Sequence, residues 1–214
     1  MPNPTMTKFD FTNVISNRKY DFTDVIAHYN DTIERAHKVY NSKGNKGGEV
    51  RAIMGSLFET IAYQICMLVN PNLVILHNDY KTLALEDDDG NVYTNDVQVD
   101  HHVYLRDELV LIIECKTYLD KSMLTRAIDN FKEIRIDHAI TSDKVLPCAI
   151  LTGQNSVNKN RLGYANCIQP FELFLLNSTE KRSSKKPIYQ TLDPLNVNKC
   201  QRFADYVYSI VGNS

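Results

Sequence analysis

The 214-residue chain contains no tryptophan, no cysteine pair at CxxC spacing and no strong excess of either charge. Its five cysteines are scattered and odd in number, which indicates neither a zinc site nor a disulfide framework and favours buried thiols in a reducing compartment. Lysine and arginine total 24 against 26 acidic residues. A polyanionic partner would therefore have to be held by local basic patches and hydrogen bonds rather than by the overall field.

The sequence also lacks the segments that carry a chain to a membrane. The N-terminal stretch MPNPTMTKFDF has no signal-peptide pattern, and no apolar run approaches the ~20 residues of a membrane-spanning helix. We therefore expect a cytoplasmic protein without a membrane partner. With 43% hydrophobic and 23% charged residues, residues 1–214 have the composition of a single domain with appended elements.

What the sequence does contain is a pair of apolar strands interrupted by charges, NDVQVDHHVYLRDELVLIIECKT over residues 95–117. A hairpin with a three-residue loop at 106–108 puts Asp100 directly opposite Glu114. Side chains alternate between the faces of a strand, so Glu114 and Lys116 share a face, and cross-strand partners on that face lie within roughly 5 Å. Three charged groups are therefore expected to converge at the end of a buried strand.

Hydrophobic periodicity and turn residues predict the order of the other elements. Apolar positions at helical spacing occur on both sides of the central strands, and Asp89-Gly90 marks a hairpin turn. The predicted elements are helices over 20–40 and 50–69, strands over 73–76 and 80–85, the central strand pair, a helix capped by Ser122, a strand over 145–151 and a last helix over 198–211. The core reads helix, three-strand meander, helix, strand.

This order and its charged residues resemble the PD-(D/E)XK nuclease superfamily, and type II restriction endonucleases in particular. The resemblance rests on Asp100, followed after about a dozen residues by Glu114-Cys115-Lys116 at the end of a buried strand. It covers about residues 50–153, and it implies an α/β, restriction-endonuclease-like fold in which helices flank a central mixed sheet with an αβββαβ core. The N-terminal helix and the C-terminal helical region would be additions for recognition or dimerisation.

Two further residues bear on the resemblance. Glu59, in the segment GSLFE of the preceding helix, is similar to the glutamate that many of these nucleases carry there, and it is a further catalytic candidate. The residue before Asp100 is Val99 rather than the proline of the family's name. That departure bears on the subfamily more than on the chemistry.

The chemistry of the three charged groups can also be argued without the family. Asp100 and Glu114 on one face offer the oxygen ligands that Mg²⁺ prefers, and the resemblance adds the backbone carbonyl of Cys115 as a metal ligand. Lys116 on the same face can help to orient the attacking water and to stabilise charge on the phosphate. The alternative is a structural ion pair at the end of the sheet.

Recognition of DNA needs donors that reach base edges and phosphates. The stretch QNSVNKNRLGY is predicted to be a polar loop after a core strand, and NSKGNKGG a basic loop after the first helix. Gln98, opposite Lys116 in the register above, would line the cleft. The predicted DNA-binding residues are Lys43, Lys46, Gln98, Asn155, Asn158, Lys159, Asn160 and Arg161. A surface role without DNA contact is the alternative for each.

These features favour a Mg²⁺-dependent type II restriction endonuclease that cleaves double-stranded DNA at a specific, palindromic sequence. A structure-specific or repair nuclease of the same fold, such as a junction resolvase, and a non-catalytic DNA-binding protein are the alternatives. One compact domain holds one site and cuts one strand, so we expect a homodimer with twofold symmetry. The first and last helices are the expected interface, unless both pad the core of a monomer.

Overall fold

The computed structural model describes residues 18–42, 47–78, 80–86, 88–178 and 194–212. These residues form an α/β fold with a mixed five-stranded sheet, a separate two-stranded sheet and helices on both faces of the larger sheet. The predicted α/β class, with a mixed sheet flanked by helices, is confirmed. Its finer likeness to restriction endonucleases stays a prediction.

The described helices are α1 (Thr23–Asn41), α2 (Gly47–Gly55), α3 (Leu57–Val69), α4 (Lys121–Thr141), α5 (Lys159–Ile168) and α6 (Val197–Val211). The described strands are β1 (Val74–His77), β2 (Tyr80–Glu86), β3 (Val92–Gln98), β4 (His101–Leu105), β5 (Glu108–Leu119), β6 (Cys148–Asn155) and β7 (Glu172–Leu175).

The larger sheet has the strand order β1-β4-β5-β6-β7, with β5 at its centre. Strand β4 runs antiparallel to β1 and β5, whereas β5, β6 and β7 are mutually parallel. A central strand is covered on both faces, which explains why β5 is apolar at every position from Leu109 to Ile113. Ile113 faces a core formed with α1, α3 and α6, and Ile112 faces a second core formed with α4. The charged end of β5 therefore lies between two hydrophobic cores.

The hairpin between β4 and β5 has the predicted register but not the predicted loop. Its turn is the two-residue segment 106–107, in which both residues have positive φ (51° and 64°), as the tight turns that match strand twist require. A β-bulge next to the turn supplies the residue that the shorter loop leaves out, so His101 pairs with Ile113 as predicted. Continuing that ladder by one position sets Asp100 opposite Glu114.

Strands β2 and β3 form a hairpin that leaves the main sheet. The predicted meander of consecutive strands is therefore wrong, because β1 pairs with β4 and the hairpin is inserted between them. Gln98 ends β3 and pairs with Tyr80, so its predicted position opposite Lys116 is also wrong. Leu83 and Val97 on the inner face of the hairpin pack into the α4 core, which holds this small sheet on the domain.

The predicted helix over 50–69 is two helices that meet at Gly55 and Ser56. As one stretch, Gly47–Val69 is long and apolar enough to cross a membrane by length and composition. In this fold its apolar residues are core residues, since Phe58 and Ile61 are fully buried against the sheet and its neighbouring helices.

Two predicted boundaries around α4 are wrong. Asp120 caps the helix, because its carboxylate accepts from the N–H of Met123 at 2.9 Å, while the hydroxyl of the predicted cap Ser122 donates to Asp120 at 2.8 Å. The strand predicted over 145–151 starts at Cys148 and continues to Asn155.

Helices α1 and α6 use their apolar stripes in the core. Tyr29 of α1 and Phe203 of α6 are buried in the same cluster as α3 and β5. The two helices were expected to form the dimer interface because their apolar stripes were not required by the predicted sheet. These stripes are buried in the core, so they give no reason to expect an interface there. Both helices instead pad the core, as the alternative stated.

Candidate functional site

The end of β5 brings the three predicted charged side chains into contact. Lys116 Nζ lies 2.6 Å from Glu114 Oε1 and 3.1 Å from Asp100 Oδ2. The side chain of Lys116 is 25% exposed, against 13% for Asp100 and 6% for Glu114. The ammonium group is therefore the most accessible member of the cluster, which is called the trio below.

Asp100 is anchored to the main chain as well as to the lysine. Its Oδ2 accepts from the N–H of Cys115 at 2.6 Å. Because β4 begins only at His101, this carboxylate takes the place of the strand partner that Cys115 would otherwise lack. The N–H of Ile112 points to the other side of β5, to the carbonyl of Pro147 at 3.1 Å. The N–H and C=O of one strand residue point to the same neighbour, so the Cys115 carbonyl also faces the Asp100 side.

Burial and like charge dominate the electrostatics of the site. Burial, followed by the negative charge of Asp100, raises the pKa of Glu114, while Lys116 and Arg126 oppose that change. Burial, again followed by Asp100, raises the pKa of Glu59. Burial lowers the pKa of Lys116, but the negative charges of Glu114 and Asp100 outweigh burial and raise this pKa overall. Lys116 thus keeps its proton in an acidic cluster that favours cations.

Glu59 approaches the trio from α3 and is held by the end of β1. Its Oε2 lies 3.1 Å from His77 Nε2 and 3.4 Å from Asn78 Nδ2. His101 Nε2 lies 2.9 Å from the Glu59 carbonyl oxygen, and its Nδ1 lies 3.4 Å from His77 Nδ1. A carbonyl only accepts, so His101 donates through Nε2, and its Nδ1 accepts from His77.

The Nε2 of His77 contacts two groups, because it lies 3.1 Å from Glu59 Oε2 and 3.1 Å from Asn78 Nδ2. An amide nitrogen only donates, so a His77 ring that donates to His101 through Nδ1 accepts from Asn78 through Nε2. The chain of hydrogen bonds that leaves the Glu59 side chain returns to the Glu59 main chain. This closed path fixes the orientation of the carboxylate and of both imidazole rings.

The predicted polar loop after β6 is wrong, because β6 runs to Asn155 and α5 begins at Lys159. Asn155 Oδ1 accepts from the N–H of Val157 at 2.6 Å, which closes a short turn. Asn158 Oδ1 accepts from the N–H of Arg161 at 2.8 Å and caps α5. Both asparagine side chains thus have structural roles, whatever their contact with DNA.

The other predicted DNA-binding residues are divided between two places. Lys159 and Asn160 are exposed on the first turn of α5, and Arg161 donates to Thr125 Oγ1 of α4 at 3.2 Å. Gln98 Nε2 donates to the Asn78 carbonyl at 3.1 Å, which puts Gln98 beside the Glu59 group. The predicted residues Lys43 and Lys46 lie outside the described residues.

A groove along the first half of α4 was not predicted from the sequence. Arg126 and Asn130, one helical turn apart, lie on the same face of that helix. The charge of exposed Arg126 acts on Glu114, and Asn130 Nδ2 donates to the Gln98 carbonyl at 2.7 Å. The groove measures about 900 Å³ and is lined by Asp120, Lys121, Ser122, Thr125, Arg126, Asp129, Asn130 and Ser156. Spacing on the predicted helix could have grouped Arg126 with Asn130, but not with the acids.

His77 and Asn78 were also missed, and the sequence carries little signal for them. They follow a short strand in the segment HND, which is typical of any polar turn. Their place beside Glu59 depends on β1 pairing with β4, a contact between distant parts of the chain.

No group of three or more His, Cys, Asp or Glu side chains could hold a metal ion within the described ranges. A smaller protein ligand set fits the trio, since Asp100 uses Oδ2 and Glu114 uses Oε1 in the contacts above. The second oxygen of each carboxylate and the Cys115 carbonyl are then the donors suited to a hard cation. Searches of protein-family models and of curated proteins find no match to this chain.

We predict that His101 makes the protein less stable at acidic pH. His101 is 1% exposed, and burial lowers its pKa from 6.5 to about 4. The contribution of neutral His101 to stability is fully present above pH 6.5 and is lost as the pH falls toward 4. Over that range the unfolded chain binds the proton and the folded chain does not. From pH 7 to pH 5 the free energy of unfolding should fall by about 2 kcal/mol more in the parent than in His101→Gln. Urea titrations at both pH values measure this difference, and equal losses would contradict it.

Proposed function

We propose that this chain is a Mg²⁺-dependent endonuclease that hydrolyses phosphodiester bonds of double-stranded DNA at a defined sequence, as type II restriction endonucleases do. The convergence of Asp100, Glu114 and Lys116 at the end of a central strand carries the proposal. Charges at such a position are costly unless they are paired or bind a ligand. Two acids exceed what one lysine needs, and the surplus negative charge suits a divalent cation.

Asp100, Glu114 and the Cys115 carbonyl would hold the Mg²⁺ ion. All three are oxygen donors, the class of ligand that Mg²⁺ prefers, and the ion keeps several waters in such sites. When bound, it would polarise a phosphate oxygen and activate a water molecule. With Asp100, Glu114 and Glu59 ionised and Lys116 protonated, the formal charge of the cluster is that of two electrons, which one divalent cation neutralises.

Lys116 would stabilise charge rather than remove a proton. Its raised pKa keeps the ammonium form, and contacts with two carboxylates fix the direction of its Nζ. A fixed cation that is partly exposed can donate to a phosphate oxygen and orient the attacking water. Glu59, whose pKa is raised, is then the carboxylate best suited to accept a proton from that water.

The first turn of α5 and the α4 groove would carry the DNA. Lys159 and Asn160 are exposed, Arg161 reaches across to α4, and Gln98 borders the site. Such side chains can bind phosphates or read base edges. Asn155 and Asn158 would lie beside this DNA-binding surface. Lys43 and Lys46, which lie outside the described residues, stay predicted DNA contacts.

One observation favours the alternative nuclease, which would read DNA structure or damage. The apolar stripes of α1 and α6, expected to form the dimer interface, are buried in the core. A monomer with one trio cuts one strand at a time, which suits a repair or structure-specific enzyme. A homodimer on a palindromic site stays the leading proposal because it cuts both strands with one kind of site.

Replacing Lys116 by Ala should lower Mg²⁺-dependent plasmid nicking by about a hundredfold or more, because a preorganised charge near the phosphate is lost. The matched control is Lys144→Ala, which removes an exposed lysine paired with Glu108 at 2.7 Å far from the trio. The control should keep the parent rate. Parent-like cleavage by Lys116→Ala, together with reduced stability, would instead identify the trio as a structural ion pair.

Replacing Lys159, Asn160 and Arg161 together by Ala should abolish specific DNA binding. The charge-matched control is Lys132→Ala with Lys144→Ala, which removes two exposed cations from other parts of the surface. Binding to target and random DNA is compared at two salt concentrations, because phosphate contacts weaken steeply with salt. Unchanged affinity and site preference in the triple variant would place recognition elsewhere.

Sedimentation at micromolar concentration, with and without target DNA, tests the assembly. We expect a dimer on DNA, because cutting both strands of one site needs two copies of the trio. A monomer under both conditions that cleaves asymmetric sites would overturn the homodimer. That result would support the structure-reading nuclease.

A further inference from the structure

Asn78 has a backbone conformation that its position in the chain does not explain. Its φ is 52°, in the left-handed region that residues other than glycine adopt rarely. Among the described residues, the other positive φ values outside glycine belong to Arg106 and Asp107, where the tight hairpin requires them. Asn78 lies instead between β1 and β2, which belong to different sheets. Strain retained at such a point needs a reason in its contacts.

The contacts of Asn78 connect the separate parts of the site. Its N–H donates to the Asp100 carbonyl at 3.0 Å, and its Nδ2 can donate to both Glu59 Oε2 at 3.4 Å and His77 Nε2 at 3.1 Å. Its own carbonyl accepts from Gln98 Nε2 at 3.1 Å. Asn130 of α4 in turn donates to the Gln98 carbonyl. Asn78 therefore joins α3, Asp100 and, through Gln98, the α4 groove.

We propose that Asn78 is a positioning residue that fixes the Glu59 carboxylate relative to Asp100. The inference rests on the proposed function, since it makes Glu59 a working partner of the trio. Two properties of asparagine are needed at once. It tolerates the left-handed backbone, and it carries a side-chain donor that reaches the carboxylate.

Substitutions separate these two properties. Glycine keeps the backbone conformation and loses the side-chain donor, whereas alanine loses the donor and adds strain. Aspartate tolerates the backbone but replaces the donor by a second acid beside Glu59. Asp107→Gly is the matched control, because it relieves the same kind of backbone conformation in the turn between β4 and β5, at the opposite end of these strands from the trio.

The first measurements are the melting temperature and the steady-state kinetics of Mg²⁺-dependent cleavage. Asn78→Gly should melt within about 2 °C of the parent, while Asn78→Ala should melt about 2–4 °C lower. For Asn78→Gly we expect kcat to fall about tenfold with KM nearly unchanged, because a hydrogen bond to a charged group is lost away from the DNA contacts. Asp107→Gly should keep the parent kcat. A parent-like kcat in Asn78→Gly would overturn the proposal.

A second measurement does not depend on cleavage. The Glu59 carboxyl group is titrated by carbon NMR in metal-free protein, with Glu59→Gln used to assign its signal. The charged and titratable groups around it are Asp100, Lys116, His77 and the Cys115 thiol, with His101 on its carbonyl. Loss of the Asn78 hydrogen bond should raise the pKa of Glu59 in Asn78→Gly, and Asn78→Asp should raise it further.

These readouts distinguish the two possible failures. If the parent shows no metal-dependent cleavage but the Glu59 titration shifts as expected, the proposed nuclease function fails and the positioning role stands. If the titration is the same in the parent, in Asn78→Gly and in Asn78→Asp, Asn78 does not position Glu59, whatever the activity.

Discussion

The contact of the Lys116 ammonium group with the carboxylates of Glu114 and Asp100 allows charged residues to lie at the end of the central strand. Strand β5 is covered on both faces, and its neighbours Ile112 and Ile113 are fully buried. Glu114 in the same strand would be prohibitively expensive as an isolated charge. Lys116, two positions along and on the same face, supplies the opposite charge at 2.6 Å. The polar end of β5 therefore depends on this pair, and Asp100 joins it from across the ladder.

The stop of β4 makes the third member possible. If β4 extended two residues further back as a regular strand, the Val99 carbonyl would accept from the Cys115 N–H. Because β4 begins at His101, the Asp100 side chain makes that hydrogen bond instead. The end of β1, where Asn78 donates to the Asp100 carbonyl, supports the same residue from the other side. The site is thus built where two neighbouring strands stop and the central one continues.

How much of this could be predicted follows from the range of each interaction. The approach of Asp100 to Glu114 depends on strand periodicity and on a local hairpin, and it was predicted although the turn is shorter, because the bulge compensates. The separation of the β2–β3 hairpin from the sheet depends on packing against α4, which no local pattern states. Helix α5 buries only Ala165 of its own residues, so it has no apolar stripe from which a helix could be predicted. The end of β6 was predicted as loop because its residues are polar. Thr152 and Gln154 are nevertheless buried in the strand, although residues of these types are usually exposed.

The negative charge of the site also bears on the order in which a metal ion and DNA would bind. A DNA phosphate is negative, and so is a cluster of three carboxylates around one ammonium group. Burial and the negative charge of Asp100 raise the pKa of both Glu59 and Glu114. The site therefore disfavours any further negative charge, including that of a phosphate. In the proposed nuclease, a divalent cation would therefore have to enter before the scissile phosphate or together with it. Cations on the neighbouring surface, such as Arg126 in the groove and Lys159 on α5, could hold the rest of the DNA backbone without that help, so binding and cleavage would differ in their dependence on the metal.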